Sequence, residues 1–295
     1  MQSCRAGKTR LVDVPGVVVI TRDRRTSLLH ALGRLVAESG AEEVVVVDNG
    51  SRDGTARAVR RSFPRVRVVE YPAAGASARN PGVEALDSEV VAFADDDSWW
   101  APGALQRLAR AFAHPRLGLA AARILVGDEH RLDPTCRRMR ASPLGVSRAL
   151  GRPRVLGFVA CGSAVRRRAF LDAGGFHPLL QIGGEEELLA LDLAAAGWEL
   201  CYFDDIVAHH HPDLTLPRHG RRAHELRNEL WVAMLRRPWP RVARPVLELA
   251  ARATHDAAAR RALGHVLTGV AHVLRDRRRL PFAVESDLRR LEEAL

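Results

Sequence analysis

The chain has 295 residues, a formal net charge of +10 and 47% hydrophobic residues. That apolar share can bury a sizeable core, which excludes a disordered chain, and no apolar run approaches the roughly 20 residues that span a bilayer. The four cysteines, Cys4, Cys136, Cys161 and Cys201, are scattered without a CxxC pair, so neither a zinc site nor a disulfide framework is expected and reduced cytoplasmic thiols are. The N-terminal stretch MQSCRAGKTRLVDVPG has no long apolar segment, so no signal peptide is expected. The charge is uneven. From Arg218 to the end, 17 arginines face 9 acidic residues. Such a tail suits an anionic membrane surface or another acidic partner, and its plainer reading is a solvated helical surface.

Gly16 to Thr21 (GVVVIT) reads as a strand buried on both faces, and Thr26 to Glu38 places leucines at helical spacing. Glu43 to Asp48 is a second buried strand, closed by the turn Asn49-Gly50-Ser51, and a helix over Thr55 to Ser62 follows. Val66 to Glu70 is a third strand, Ala78 to Leu86 a helix, and Val90 to Ala94 a fourth strand ending at Asp95-Asp96-Asp97. This alternation predicts right-handed crossovers and a parallel sheet flanked by helices. Ligands of such sheets bind at the carboxyl ends of the strands, where Thr21, Asp48 and the Asp95 to Asp97 cluster converge. Arg123 to Pro153 reads as loop-rich, Phe158 to Val165 as a strand, Arg167 to Ala173 and Glu185 to Ala196 as helices, and Trp198 to Phe203 as a strand. From about Pro217 the pattern is helical, with Pro238, Pro240 and Pro245 as breaks.

Four segments carry candidate chemistry. Three adjacent carboxylates at Asp95 to Asp97 repel one another, and a divalent cation would compensate them; hard oxygen ligands suit Mg²⁺ or Mn²⁺ bridging a diphosphate. The alternative is an acidic loop in which Asp97 or Ser98 caps the next helix. In VVVVDNGSRDGT, Asp48 could accept a hydrogen bond from a base or ribose, and the plainer reading is an ordinary strand–turn–helix capped by Asp53. Gly183-Gly184 introduces a helix opening with Glu185, Glu186 and Glu187. Glutamates there are favoured by the helix dipole, and one could also serve as a general base. His209-His210-His211 follows a strand and turn as a loop, and at least one of the three is expected to face the site.

In their joint order, VVVITRDR, VVVVDNGSRDGT, ARNPGVEAL, VVAFADDDSWWAPGAL, CGSAVRRRAFLDAGGF and GGEEELLALDLAAAGW, with a final His, resemble the inverting family 2 glycosyltransferases of the GT-A fold. The resemblance covers roughly residues 15 to 212. It implies an α/β, Rossmann-like, mostly parallel sheet flanked by helices over residues 1–215, with a basic α-helical C-terminal region over 216–295. It implies that Thr21, Arg22, Asp48, Arg79, Asp95 and Asp96 contact a nucleotide sugar, and that Asp95 and Asp97, with His210, hold Mg²⁺ or Mn²⁺. Cys161-Gly162-Ser163 sits where the family lines its acceptor site. Glu186, or Glu185, resembles the catalytic base, although the family commonly has Glu-Asp where this chain has Glu-Glu. The implied activity is metal-assisted transfer of a sugar from a nucleoside-diphosphate donor to an acceptor hydroxyl, with inversion. The acceptor could be a glycan, a lipid-linked molecule or a small molecule, and no nucleic acid is expected. The expected place is the cytoplasm, with peripheral contact to the inner face of the membrane. The competing readings are a nucleotide-sugar-binding protein without turnover and a nucleotidyltransferase; TRDRRTSLL has arginines but lacks the glycine a phosphate loop would favour.

Overall fold

The computed structural model describes residues 12–72, 75–213 and 221–294. Cys4, most of the N-terminal stretch and the expected boundary between residues 215 and 216 lie outside them. Strands β1 (Gly16–Thr21), β2 (Val44–Asp48), β3 (Arg67–Glu70) and β4 (Val90–Asp95) are parallel, in the order β3-β2-β1-β4. Helices α1 (Arg25–Glu38), α2 (Thr55–Ser62) and α3 (Arg79–Glu84) connect them. Successive side chains alternate between the two faces, so the valine runs feed two cores at once. Val17, Val19, Val44 and Val46 meet Leu28, Leu32 and Leu35 of α1 on one face. Val18, Val45, Val47 and Phe93 meet Val83, Phe170 and Phe176 on the other. A Cβ on Gly82 of α3 would stand 2.6 Å from Val18 Cγ1 and 2.8 Å from Val47 Cγ2, so only glycine lets that helix lie this close to the sheet.

Beyond β4 the sheet becomes mixed. The elements are β5 (Ser98–Trp100), α4 (Ala104–Phe112), β6 (Leu117–Val126), β7 (Arg131–Leu132), α5 (Pro134–Arg140), β8 (Ser163–Arg166), α6 (Arg167–Ala173), α7 (Glu185–Ala195) and β9 (Glu199–His210). The order continues β4-β8-β6-β9-β5, with β8 antiparallel to both β4 and β6, β6 parallel to β9, and β7 paired to β6. Helices α8 (Arg221–Arg236), α9 (Trp239–Ala253), α10 (Ala257–Arg275) and α11 (Phe282–Glu293) share a third core with Leu188 and Leu191 of α7. No helix among the described residues is long and apolar enough to cross a membrane.

Several local expectations are corrected. The loop-rich stretch after Arg123 contains the end of β6, β7 and α5, whose amino end is capped by Asp133 accepting from the Thr135 N–H at 2.7 Å. The strand expected from Phe158 starts only at Ser163, after a 3₁₀ turn over Ala160–Gly162. The strand expected to stop at Phe203 runs to His210, because β6 pairs beside it past a bulge between Ala122 and Arg123. His209 and His210 therefore sit in a strand, opposite Trp99 and Ser98, rather than on a loop. Ser98 caps no helix: it opens β5, and its Oγ accepts from the Asp95 N–H at 2.7 Å. Pro245 does not break α9. Pro238 and Pro240 lie at its start, where a missing N–H costs little.

Candidate active site at the strand ends

The parallel register sets Thr21 opposite Asp48 and Ile20 opposite Asp95. The polar groups singled out from three strands are thereby brought to one edge. Thr21 Oγ1 donates to Asp96 Oδ2 at 3.0 Å, and Ser27 Oγ of α1 donates to the Asp96 carbonyl at 2.9 Å. Asp48 is buried and accepts from the Ser51 N–H at 2.7 Å, which fixes the turn after β2. Asp53 accepts from the Thr55 N–H at 3.0 Å and the Arg25 N–H at 3.1 Å, so it ties the starts of α1 and α2 together.

The counter-charge of the acidic cluster comes from arginines. Arg24 Nη1 lies 2.9 Å from Asp96 Oδ1 and 2.9 Å from Asp97 Oδ2. Arg79 is buried at the start of α3, pairs with Asp95, and lies 5.4 Å from the Phe176 ring centroid. Arg24 and Arg79 thus offset part of the charge of the three carboxylates. Arg22, expected beside the nucleotide, is 57% exposed with its Nε 3.8 Å from Asp23 Oδ2. Arg24, two residues further on, is the arginine that pairs with the acidic cluster. The segment TRDRR offers arginines two residues apart, and only the entry of the chain into α1 decides which one turns inward.

Burial pushes Asp96 up to about 7; Arg24 pulls it down, while Asp97 and Asp95 push it further up. Asp97 behaves oppositely: burial raises it, but the hydrogen bond and charge of His210 and those of Arg24 outweigh burial and hold it below the usual range. His210 Nε2 lies 3.4 Å from Asp97 Oδ1. Burial lowers the His210 value, yet the Asp97 hydrogen bond and charge carry it above the ordinary one. His209 and His211 turn to Trp99, with ring centroids 5.5 Å and 4.7 Å away, so one histidine of the three reaches the acidic cluster.

The glutamates arrive from the other side of the crevice. Gly183 and Gly184 have φ of 85° and 82°, left-handed values that a side chain would strain, and they turn the chain into α7. Ala160, first residue of its 3₁₀ turn, donates its N–H to Glu186 Oε1 at 2.6 Å. Burial pushes Glu186 up to about 7 and Glu185 adds to it, while the Ala160 N–H and Arg79 pull back. Burial also raises Glu185, whose Oε2 is buried without a hydrogen-bond partner. Glu187 is exposed. Cys161 is buried between these groups and the acidic cluster; burial, then the charges of Asp95 and Glu186, push its thiol well up, so it stays protonated.

No group of three His, Cys, Asp or Glu side chains among the described residues is arranged to hold a metal ion. The donors nevertheless fit one in kind. Asp97 Oδ1 and His210 Nε2, 3.4 Å apart, are a carboxylate oxygen and an imidazole nitrogen that a divalent cation could take as ligands.

Solved structures with this architecture are GT-A glycosyltransferases. The mannosyltransferase PcManGT from Pyrobaculum calidifontis, in complex with GDP-Man and Mn²⁺, aligns with TM-score 0.55 and 20% identity over 95% of this chain and 84% of that one. GalNAc-T7 with UDP, GalNAc and Mn²⁺ aligns with TM-score 0.58 and 16% identity over 76% of this chain and 48% of that one. At these identities the likeness shows the fold alone. Sequence goes further: residues 16–175 match the model of the family described as Glycosyl transferase family 2, and this chain belongs to that family. It is 28% identical over 195 residues to the succinoglycan biosynthesis protein ExoU of Rhizobium meliloti, covering 60% of this chain but only 56% of that protein. It is 27% identical over 239 residues to the N-acetylglucosaminyl-diphospho-decaprenol L-rhamnosyltransferase of Mycobacterium tuberculosis, covering 68% of this chain and 77% of that protein.

Proposed function

We propose that this protein transfers a glycosyl group from a nucleoside-diphosphate sugar to an acceptor hydroxyl by single displacement with inversion. The observation that carries the reading is the meeting of Glu186, held near pKa 7, with Arg79 and Asp95 at the strand ends. A base is most effective when its pKa lies near the working pH. Glu186 takes the proton of the acceptor hydroxyl as its oxygen attacks the anomeric carbon, and the nucleoside diphosphate leaves from the opposite face. Thr21, Arg22, Asp48, Arg79, Asp95 and Asp96 line the donor side, and Arg24 joins them. Asp97 and His210, with Asp95 nearby, would hold Mg²⁺ or Mn²⁺, which when bound supplies positive charge to the leaving diphosphate.

Residues 1–215 carry this chemistry. The basic C-terminal region, taken as 216–295, is helical over its described residues 221–294, where Leu247, Leu267 and Phe282, exposed by 70%, 67% and 81%, lie on the same helices as arginines. That pairing supports peripheral contact with the anionic inner face of a membrane, where a lipid-linked acceptor would be presented. The test is a thermal-shift screen of nucleotide sugars with and without Mn²⁺, followed by NMR of the product's anomeric configuration. A donor-specific rise in Tm and an inverted product are expected. No response to any donor, or a retained configuration, refutes the reading.

A further inference from the structure

Given Glu186 as the base, we propose that Asn228, on the C-terminal helix α8, is a positioning residue that sets where the base points. Asn228 is fully buried, and its Nδ2 donates to two backbone carbonyls, Ile182 O at 2.9 Å and Gly183 O at 2.6 Å. Ile182 leads into the left-handed pair Gly183-Gly184, which stands immediately before Glu185 and Glu186. Arg227 Nε donates to Asn228 Oδ1 at 2.9 Å, which fixes the amide with its NH₂ toward the turn.

The fit is tight. A Cβ on Gly183 would stand 3.2 Å from Glu225 Cγ, and one on Gly184 would stand 3.2 Å from Val232 Cγ2 and 3.4 Å from Asn228 Cβ. Further along, the buried Arg236 of α8 grips Asp192 of α7, with Nη2 at 2.8 Å from Oδ2. Helix α8 therefore holds α7 both at its entry and in its third turn. Its own footing is rigid: Trp231 packs against α10 where a Cβ on Gly269 would fall 2.2 Å from Trp231 Cζ2. A left-handed Gly-Gly turn has little intrinsic stiffness. Its direction is set by what holds its carbonyls, and Asn228 holds two of them.

Loss of this clamp lets the first turn of α7 shift, and an error of about 1 Å in a reacting group costs up to about 100-fold in rate. The experiment compares wild type with Asn228→Ala and with Asn228→Asp, which keeps the size and loses the donors. In each, kcat should fall about 10- to 100-fold with the donor KM within about twofold, the split a positioning role demands. Amide exchange over residues 185–188 should quicken while that of α10 stays as in wild type. A folded Asn228→Ala with wild-type kcat and exchange overturns the proposal, as does faster exchange spread evenly over α8 to α11. Should Asn228→Ala fail to fold, Asn228→Asp carries the same expectation and the same refutation. If the wild type transfers no sugar, the base reading fails, and the exchange measurement still reads the clamp on its own.

Discussion

Replacing Glu186 with Gln separates stability from turnover. Burial lifts the Glu186 carboxyl from an ordinary 4.5 to about 7. Its raised folded-state value stabilises the fold fully below the unfolded pKa, and that contribution is lost as pH rises through about 7. At about 1.4 kcal/mol per unit, the loss between pH 5 and pH 8 amounts to roughly 2–3 kcal/mol. Glutamine is neutral throughout and can still accept the Ala160 N–H, so Glu186→Gln should not suffer it. Urea denaturation at pH 5, 6, 7 and 8 should show a variant slightly more stable than wild type at pH 5 and more stable by a margin that grows with pH. Turnover should move the other way, falling about 100-fold or more while donor binding persists. Wild-type kcat/KM should rise with pH through an inflection at about 7. A stability margin that stays flat with pH would refute the burial of this carboxylate, and wild-type turnover in the variant would refute its role.

Asp97→Asn should abolish transfer with an unchanged circular dichroism spectrum, because Arg24 retains Asp96; the His210 pKa, followed by NMR, should drop once the opposing charge is gone, and full activity of the variant in a chelator would sink the metal reading. On α10, Gly269→Ala drives a methyl into Trp231 and should cost about 1–3 kcal/mol, whereas Gly264→Ala, with nothing within 4 Å, should gain up to about 1 kcal/mol; equal Tm shifts would contradict the packing described. Co-sedimentation with vesicles should rise with anionic lipid and fall with salt, and indifference to both would remove the membrane contact.

The parallel half of the sheet was legible because its strands are valine runs with both faces buried, a pattern local to each segment. The mixed half was legible only in part, through the strands expected from Phe158 and from Trp198. Leu117–Val126 is rich in alanine and gains its strand character from β8 and β9, partners more than forty residues away in the chain, which no window of sequence contains. The same distance hid His209 and His210, which look like a loop until β6 and β5 close around them. At the site, Glu186 and the Asp95 to Asp97 trio could be picked out by residue type and position. Arg24 could not, since its partners lie over seventy residues away. Nor could the clamp at Asn228, which depends on α8 returning to α7.

The reversal of chain direction at β8 has a consequence for what the crevice offers a ligand. A sheet of wholly parallel strands would deliver only their carboxyl ends to that edge. Because β8 runs against β4, it brings its amino end there, led by a single 3₁₀ turn whose opening N–H has no partner within the turn. That orphan donor is the one Glu186 accepts. The sheet thus supplies a positive backbone pole beside the carboxylates of β4, and a carboxylate from a different helix is drawn across the gap to meet it.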